Sequence, residues 1–212
     1  MKLYIAKSSE LARLDGVNLL SADRRAKLEK LNIFEDKQRC LAAGLLLRHV
    51  FGPRVGDMVY EEGGKPYLAD GPFFNISHSG EYVVLAVSEK PVGVDIEKLG
   101  QYKEKLARRC CTDEELLWLE AQDKSEFYRL WTGKESIMKA VGKGLAMAPG
   151  SFSVLPAENG PHFVEGSCWY LRWQRLPGYY ICCACAADEN IELIYTEREI
   201  LLGQKPAYAE RN

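Results

Sequence analysis

The sequence lacks several features that would place it directly in a functional class. Its 28 basic and 30 acidic residues leave a net charge of −2, which gives no global attraction to nucleic acid or to an anionic membrane. No apolar run approaches the length of a membrane span, and the first residues, MKLYIAKSSE, carry no cleavage site of the secretory type. We therefore expect a cytoplasmic protein that binds neither nucleic acid nor membrane.

A disulfide framework is also disfavoured. The seven cysteines are an odd number, most of them lie inside apolar segments, and no secretory signal precedes them. The run YYICCACAA could supply thiolates to a metal, but Cys182, Cys183 and Cys185 lie on a strand-like stretch without a second CxxC pair or a nearby His. We interpret them as small buried side chains.

The sequence does contain enough apolar residues, 47% of 212, to bury a core, and it shows a repeated order of elements. The first half predicts a strand, two helices and a strand meander, at 2–6, 21–31, 35–50, 57–62, 73–77, 81–88 and 92–97. The second half predicts helices at 111–121 and 124–141, then strands at 151–155, 169–176 and 178–187. This order predicts an α+β protein of two structurally similar halves, residues 1–100 and 101–212, which form a pseudo-dimer within one chain.

Two signals mark helix ends in the second half. Thr112, followed three residues later by Glu115, has the spacing of a capping box and predicts a helix start. Gly142 and Gly144 follow the long apolar-periodic segment and predict its end.

An acidic pair ends the last predicted strand of the first half. Asp95 and Glu97 are separated by one residue, so on a strand both carboxylates lie on one face. Such a pair favours a shared proton or a hard cation such as Mg²⁺ or Mn²⁺, and Mg²⁺ in turn favours a phosphate-bearing substrate. The alternative is a strand end with solvated acids.

A third acid lies on the predicted helix over 124–141. Glu135 and Lys139 are four positions apart and share a helix face. Alone they would form an ordinary surface ion pair. Together with Asp95 and Glu97, Glu135 could complete a three-carboxylate cation site, while Lys139 neutralises the phosphates.

Several other polar groups could address phosphates. Arg24 and Lys27 share a helix face and could clamp a terminal phosphate with Arg39, although solvated helix charge explains them as well. Lys65 lies in the tight turn GGKPY, and the cluster Ser77, His78 and Ser79 precedes Gly80 at a strand end. No GxSxG, P-loop or kinase motif set accompanies them.

In this order and with these gaps, the segments GGKP, FNISHSG, VGVDIE and FYRLWTGKESIMKAVGKGL resemble the surfactin-type 4′-phosphopantetheinyl transferases over nearly the whole chain. The resemblance implies a monomer of two similar α+β halves with coenzyme A bound between them. It also implies transfer of the phosphopantetheine arm of coenzyme A to a serine of an apo acyl or peptidyl carrier protein. Mg²⁺ would be the cofactor, or Mn²⁺ in its place, and adenosine 3′,5′-bisphosphate the second product.

The same resemblance assigns roles to individual residues. It makes Asp95, Glu97 and Glu135 the metal ligands, with Glu135 also placed to help take the serine proton. Lys139 would be catalytic and would bind the pyrophosphate, with Lys134 and Trp131 supporting that helix surface. The implied coenzyme A contacts are Arg24, Lys27 and Arg39 at the 3′-phosphate, Lys65 and Pro66 beside the adenine, and Ser77 and His78 at the phosphates.

One departure from the family pattern concerns the carrier protein. Cys110 and Cys111 stand where family members often carry bulky aromatics, in the region between the halves. Leu116, Leu117 and Trp118 could contribute to a carrier contact, and helix packing explains them equally well. Two other functions stay open from sequence: a non-catalytic coenzyme A or carrier-binding homologue, and a Mg²⁺-dependent phosphohydrolase acting on nucleotides.

Overall fold

The computed structural model describes residues 1–11, 13–61, 64–142 and 147–204, and within these ranges it contains ten strands and six α-helices. The strands are β1 (Lys2–Lys7), β2 (Val59–Tyr60), β3 (Pro66–Tyr67), β4 (Phe73–Ser79), β5 (Tyr82–Ser88), β6 (Val92–Lys98), β7 (Gly160–Val164), β8 (Ser167–Leu176), β9 (Tyr179–Cys185) and β10 (Glu192–Thr196). The helices are α1 (Ala22–Glu29), α2 (Phe34–Phe51), α3 (Glu104–Cys110), α4 (Asp113–Glu120), α5 (Glu126–Val141) and α6 (Arg198–Leu201). None of these helices is long and apolar enough to cross a membrane.

Two four-stranded sheets form the framework, with strand orders β10-β1-β5-β4 and β6-β9-β8-β7. Neighbouring strands are antiparallel except β1 and β10, which run parallel. Strands β2 and β3 form a separate hairpin. The predicted α+β class is therefore confirmed.

Each sheet is covered by one long helix whose apolar side chains form a core. Helix α2 buries Leu41, Leu45 and Leu46 against the first sheet, and α5 buries Leu130 and Ile137 against the second. A third cluster of buried side chains lies between the two sheets, so the sheets pack together through their other faces. The members of this cluster include Leu3, Ile5, Val84, Val94, Ile96, Ile181 and Cys183.

The cysteines contribute to these cores as the sequence predicted. All seven are free thiols, and six are buried, while Cys168 is partly exposed. Burial raises the pKa of Cys182 to about 12, so its thiol is protonated at neutral pH. Within the YYICCACAA segment, Tyr179–Cys185 form strand β9 in the interior, which agrees with the interpretation of its cysteines as small buried side chains.

Strands from both sides of residue 100 contribute to both sheets. Strand β6 precedes that position but pairs with β9, where Asp95 lies opposite Cys182. Strand β10 comes late in the chain but pairs with β1. The division into similar halves at residues 1–100 and 101–212 stays a prediction.

The strand predicted over 151–155 is wrong. Residues Pro149–Ser151 form a short 3₁₀ turn, and the following segment is irregular. Its backbone groups bind side chains instead of a neighbouring strand: Val154 N–H donates to Glu115 Oε1 at 2.8 Å, and the carbonyl of Phe152 accepts from Lys134. Alternating apolar residues therefore arose here from a buried loop, while the true strands β7 and β10 escaped prediction.

The remaining predicted elements agree with the structure apart from their ends, whereas α3, α6 and β3 escaped prediction. The capping box of Thr112 and Glu115 begins α4, with both reciprocal hydrogen bonds present. Gly142, in the left-handed conformation at φ 80°, ends α5, whereas Gly144 lies outside the described residues. Of the strand predicted over 57–62, only Val59–Tyr60 is a strand, and Glu62 lies outside the described residues.

Candidate active site

The edges of the two sheets meet along β4 and β6, and side chains rather than a backbone ladder join them. Alternate side chains of β4 point across the gap, as the period of two along a strand requires. We call this junction the seam. Its hydrogen bonds run from Val94 N to Asn75 Oδ1 (3.0 Å), from Ser77 Oγ to Asp95 Oδ1 (2.9 Å), from Ser79 Oγ to Glu97 Oε2 (3.0 Å) and from Lys98 N to Ser79 Oγ (3.0 Å).

A cavity of about 740 Å³ opens over the seam. Its walls come from β4, β6, α1, α2, α5 and the β2–β3 hairpin, so it has the concave, multi-element character of a ligand site. Eleven of the residues assigned from sequence line it: Arg24, Lys27, Lys65, Pro66, Ser77, His78, Asp95, Glu97, Trp131, Glu135 and Lys139.

Helix α5 faces the cavity with residues spaced four apart, as helical periodicity requires. Trp131, Glu135 and Lys139 lie on this face and line the cavity. Gly93 of β6 permits the helix to approach the strand closely. A Cβ atom at Gly93 would lie 2.1 Å from the backbone oxygen of Ser136, so the lack of a side chain sets the distance between helix and strand.

Lys139 and Asp95 form the central ion pair of the cavity. The Lys139 Nζ atom lies 2.6 Å from Asp95 Oδ1 and 3.0 Å from Ser77 Oγ. Asp95 is only 3% exposed, and its second oxygen, Oδ2, is buried without a hydrogen-bond partner among the described residues. An unsatisfied buried carboxylate oxygen is costly, so this atom is suited to a cationic or hydrogen-bonding ligand.

The other two acids, Glu97 and Glu135, have raised pKa values in the free protein. Burial raises the pKa of Glu97, and the negative charge of Asp95 raises it further, against the hydrogen bonds from Ser79 and Trp131. Burial and the Asp95 charge likewise raise the pKa of Glu135, and Lys139 opposes them. A positive ligand near the three carboxylates would relieve both effects.

The donor chemistry of these acids fits a hard divalent cation, since every available donor is a carboxylate oxygen. The bare Asp95 Oδ2 offers such a cation an unused ligand atom. However, no group of three or more His, Cys, Asp or Glu residues in the described part of the chain is already arranged to hold a metal ion. The assignment of Asp95, Glu97 and Glu135 as metal ligands stays a prediction.

Basic and imidazole groups also line the cavity. Arg24 and Lys27 come from α1, which begins where the hydroxyl of Ser21 accepts the N–H of Arg24. The His78 ring is open to the cavity, yet desolvation by the surrounding protein lowers its pKa. The positive charges of Arg39, Lys139 and Lys27 act in the same direction. His78 is therefore neutral at pH 7 in the free protein.

Lys65 lines the cavity but is already hydrogen-bonded. Its Nζ atom donates to the carbonyl oxygens of Lys139 (2.7 Å) and Ala140 (3.3 Å), near the C-terminus of α5. A cation at this end of a helix is favourable because it meets unpaired carbonyl groups. The β2–β3 hairpin is thereby fastened to α5.

Two predicted ligands do not line this cavity. Arg39 pairs with Asp36 and donates to the carbonyl of Gly80 at 2.8 Å, and it acts on the cavity through its charge on His78. Lys134 is 0% exposed and lies 2.7 Å from Glu115, with further hydrogen bonds to two carbonyl oxygens. In this structure Lys134 anchors α5 to α4 and to the loop after α5, and its assignment to coenzyme A stays a prediction.

The sequence analysis missed Asn75 and gave Ser79 no role of its own, although both residues form hydrogen bonds of the seam. Asn75 lines the cavity and is 6% exposed. The signal was present, because both residues alternate with Ser77 along a strand and therefore share its face.

Comparisons with known proteins identify the family. Residues 91–185 match the family model described as the 4′-phosphopantetheinyl transferase superfamily. The chain is 34% identical to the 4′-phosphopantetheinyl transferase Sfp of Bacillus subtilis, over 85% of this chain and 90% of that protein. It is 43% identical to the 4′-phosphopantetheinyl transferase gsp of Aneurinibacillus migulanus, over 64% of this chain and 61% of that one. The chain therefore belongs to the 4′-phosphopantetheinyl transferases, and within them to the surfactin type that its motifs predicted.

Proposed function

We propose that the protein transfers the 4′-phosphopantetheine arm of coenzyme A to a serine of an apo acyl or peptidyl carrier protein. Adenosine 3′,5′-bisphosphate is the second product, and Mg²⁺ is the cofactor, with Mn²⁺ as a substitute. The observation that carries this proposal is the seam cavity, which is lined by the three acids, by Lys139 with the Ser77 hydroxyl beside it, and by the basic side chains of Arg24 and Lys27. A pyrophosphate with an attached nucleotide suits this cavity, because the basic side chains can bind its phosphates and the acids can hold a cation beside them.

The reaction is a displacement at phosphorus. The serine oxygen bonds to the phosphorus that carries the pantetheine arm, and the bond from that phosphorus to the bridging pyrophosphate oxygen breaks. The electron pair leaves with adenosine 3′,5′-bisphosphate, and the serine proton passes to a base. Catalysis of such a step depends mainly on positioning and on neutralising negative charge.

Individual residues take the following roles in the proposal. Lys139, held beside Asp95, contacts the pyrophosphate and neutralises charge on the departing nucleotide. Glu135, which lines the cavity beside Lys139 on the same face of α5, accepts the serine proton. A bound divalent cation would be held by Asp95, Glu97 and Glu135 and would polarise the phosphate oxygens.

The nucleotide binds toward α1 and the β2–β3 hairpin. Arg24 and Lys27 bind its 3′-phosphate by charge-assisted hydrogen bonds, with Arg39 supporting that side of the site. Lys65 and Pro66 lie beside the adenine, while Ser77 and His78 contact the phosphates. The common cavity of six of these residues, Arg39 excepted, supports the assignment.

The arrangement in similar halves belongs to the same proposal. Each four-stranded sheet carries one long helix, α2 or α5, and the site lies between the two layers. The carrier protein docks on the C-terminal half, where Leu117 is 68% exposed and Leu106 is 39% exposed. Leu116 and Trp118 pack against the core and contribute less. A cytoplasmic monomer stays the expected form.

The test is mass spectrometry of an apo carrier protein incubated with the purified enzyme, coenzyme A and Mg²⁺. We expect the mass of a phosphopantetheine arm to be added to the carrier, and no product with E135A. Cleavage of coenzyme A without a carrier would indicate a phosphohydrolase instead. Absence of any mass gain with carriers from fatty-acid, polyketide and nonribosomal peptide systems would overturn the proposal.

A further inference from the structure

Ser79 connects the two sheets at Glu97, and no motif assignment gives it a role. It belongs to β4, whereas Glu97 belongs to β6, and the two strands are edges of different sheets. The Ser79 hydroxyl accepts the backbone N–H of Lys98 at 3.0 Å and donates to Glu97 Oε2 at 3.0 Å. Because a hydroxyl has one proton, accepting from Lys98 directs that proton toward Glu97.

The opposite oxygen of the same carboxylate is held by another element. The indole Nε1 of Trp131, on α5, donates to Glu97 Oε1 at 3.4 Å. Glu97 thus receives one donor from each side of the seam, and the shorter bond comes from Ser79. Each oxygen of the Glu97 carboxylate is therefore held by a donor from a different element.

We propose that Ser79 is a positioning residue, which fixes the orientation of the Glu97 carboxylate and thereby sets the affinity of the cavity for a divalent cation. The proposal rests on the cation of the proposed function. It does not place Ser79 in contact with coenzyme A or the carrier. Without Ser79 the Glu97 carboxylate loses the donor that holds Oε2, so the cost of losing Ser79 appears in cation binding.

The variants are S79A, which removes the donor, and S79T, which restores a hydroxyl in a residue that strands favour. The matched control is S88A. Ser88 donates to the carboxylate of Glu189 at 2.9 Å, so it loses the same kind of bond away from the seam cavity. Thermal unfolding of each variant verifies that it folds.

The measurement is equilibrium binding of Mn²⁺, followed by the electron paramagnetic resonance signal of free Mn²⁺, with coenzyme A present and no carrier. We expect S79A to bind Mn²⁺ about tenfold more weakly, because hydrogen bonds to charged groups are worth more than neutral ones. S79T and S88A should bind as the unmodified protein does. At saturating Mg²⁺, the KM of S79A for coenzyme A should stay within about twofold.

Other results overturn the proposal. Unchanged Mn²⁺ affinity in S79A would do so, as would an equal loss in folded S79T or S88A, or no Mn²⁺ binding by the unmodified protein. The proposed function fails separately, through the absence of carrier modification by the unmodified protein. Since Mn²⁺ binding is measured without turnover, the two failures are distinguishable.

Discussion

The ammonium nitrogen of Lys139 lies 2.6 Å from Oδ1 of Asp95, and this contact joins α5 to β6 at the centre of the cavity. The Asp95 side chain is 4% exposed, while that of Lys139 is 29% exposed and open to the cavity. The lysine therefore compensates a buried carboxylate and still reaches a ligand. Removing either partner would destabilise the site, because the other would remain as a buried charge without its counter-ion.

Replacing Lys139 with methionine should lower kcat by about a hundredfold or more, because one preorganised charge on the pyrophosphate is lost. Steady-state assays at saturating coenzyme A and carrier measure the effect. The control is Lys90→Met, an exposed lysine in the turn before β6, which should retain activity. A Lys139→Met enzyme with kcat within twofold of the unmodified protein would contradict the assigned role.

Gly93→Ala should destabilise the protein by about 3 kcal/mol, as overpacking against backbone atoms does. The new Cβ would lie 2.1 Å from Ser136 O and 2.4 Å from Ala140 N, which forces α5 away from β6. Gly56→Ala is the control, since nothing lies within 4 Å of its added Cβ. Urea unfolding compares the two, and equal stabilities would show that α5 moves without cost.

Lys134→Met should destabilise the fold by about 4 kcal/mol, because it leaves the carboxylate of Glu115 buried without its counter-ion. The double variant Lys134→Met with Glu115→Gln should recover part of this loss, since no bare charge remains. Urea unfolding of both variants and of Glu115→Gln completes a double-mutant cycle. A folded double variant with an unchanged KM for coenzyme A would agree with an anchoring role, whereas a selective rise in KM would support the assignment of Lys134 to coenzyme A.

The outcome for these lysines shows where sequence patterns succeed. Helical spacing placed Glu135 and Lys139 on one face, and strand spacing placed Asp95 and Glu97 together, because both periods are fixed by backbone geometry. Lys134 precedes Glu135 in the same motif, but one residue turns the helix by about 100°, so the motif could not show that Lys134 faces the interior.

The misassigned segments failed for a tertiary reason. The alternation of Phe152 and Val154 indicated a strand, but the partners of that backbone are Glu115 and Lys134, far away in sequence. The pairing of β10 with β1 joins the two ends of the described chain. The seam likewise depends on which strands form the edges of the two sheets, and the local periodicity of a sequence contains no information about the order of strands in a sheet.

Glu135→Gln should raise the melting temperature in the absence of divalent cations. Burial and the charge of Asp95 raise the pKa of Glu135 above its ordinary value of 4.5, so the folded state binds this proton more tightly than the unfolded state does. Stability of the unmodified protein therefore falls as pH rises from about 4.5 through the raised pKa, and the glutamine variant lacks this loss. The difference in melting temperature should vanish at low pH, reach a plateau above the raised pKa and shrink when Mg²⁺ is added. A difference in melting temperature that does not depend on pH would contradict the assignment of this loss of stability to ionisation of Glu135.

Binding of coenzyme A should involve proton uptake at His78. In the free protein, desolvation and then the charges of Arg39, Lys139 and Lys27 lower the pKa of this imidazole. Phosphates in the cavity would reverse the sign of the local field and raise that pKa, so the complex binds a proton that the free protein has released. Affinity should consequently be highest below the pKa of the free protein and fall as pH rises through the pKa of the complex.

Calorimetry in buffers of different ionisation enthalpy measures this uptake directly, because the apparent binding enthalpy then depends on the buffer. His78→Gln retains a hydrogen-bond donor without the titration, so it should bind with less proton uptake and a flatter pH dependence. His49→Gln is the control: burial also lowers the pKa of His49, but it lies outside the seam cavity. Proton uptake that persists in His78→Gln and disappears in His49→Gln would exclude His78 as the group that responds to the phosphates.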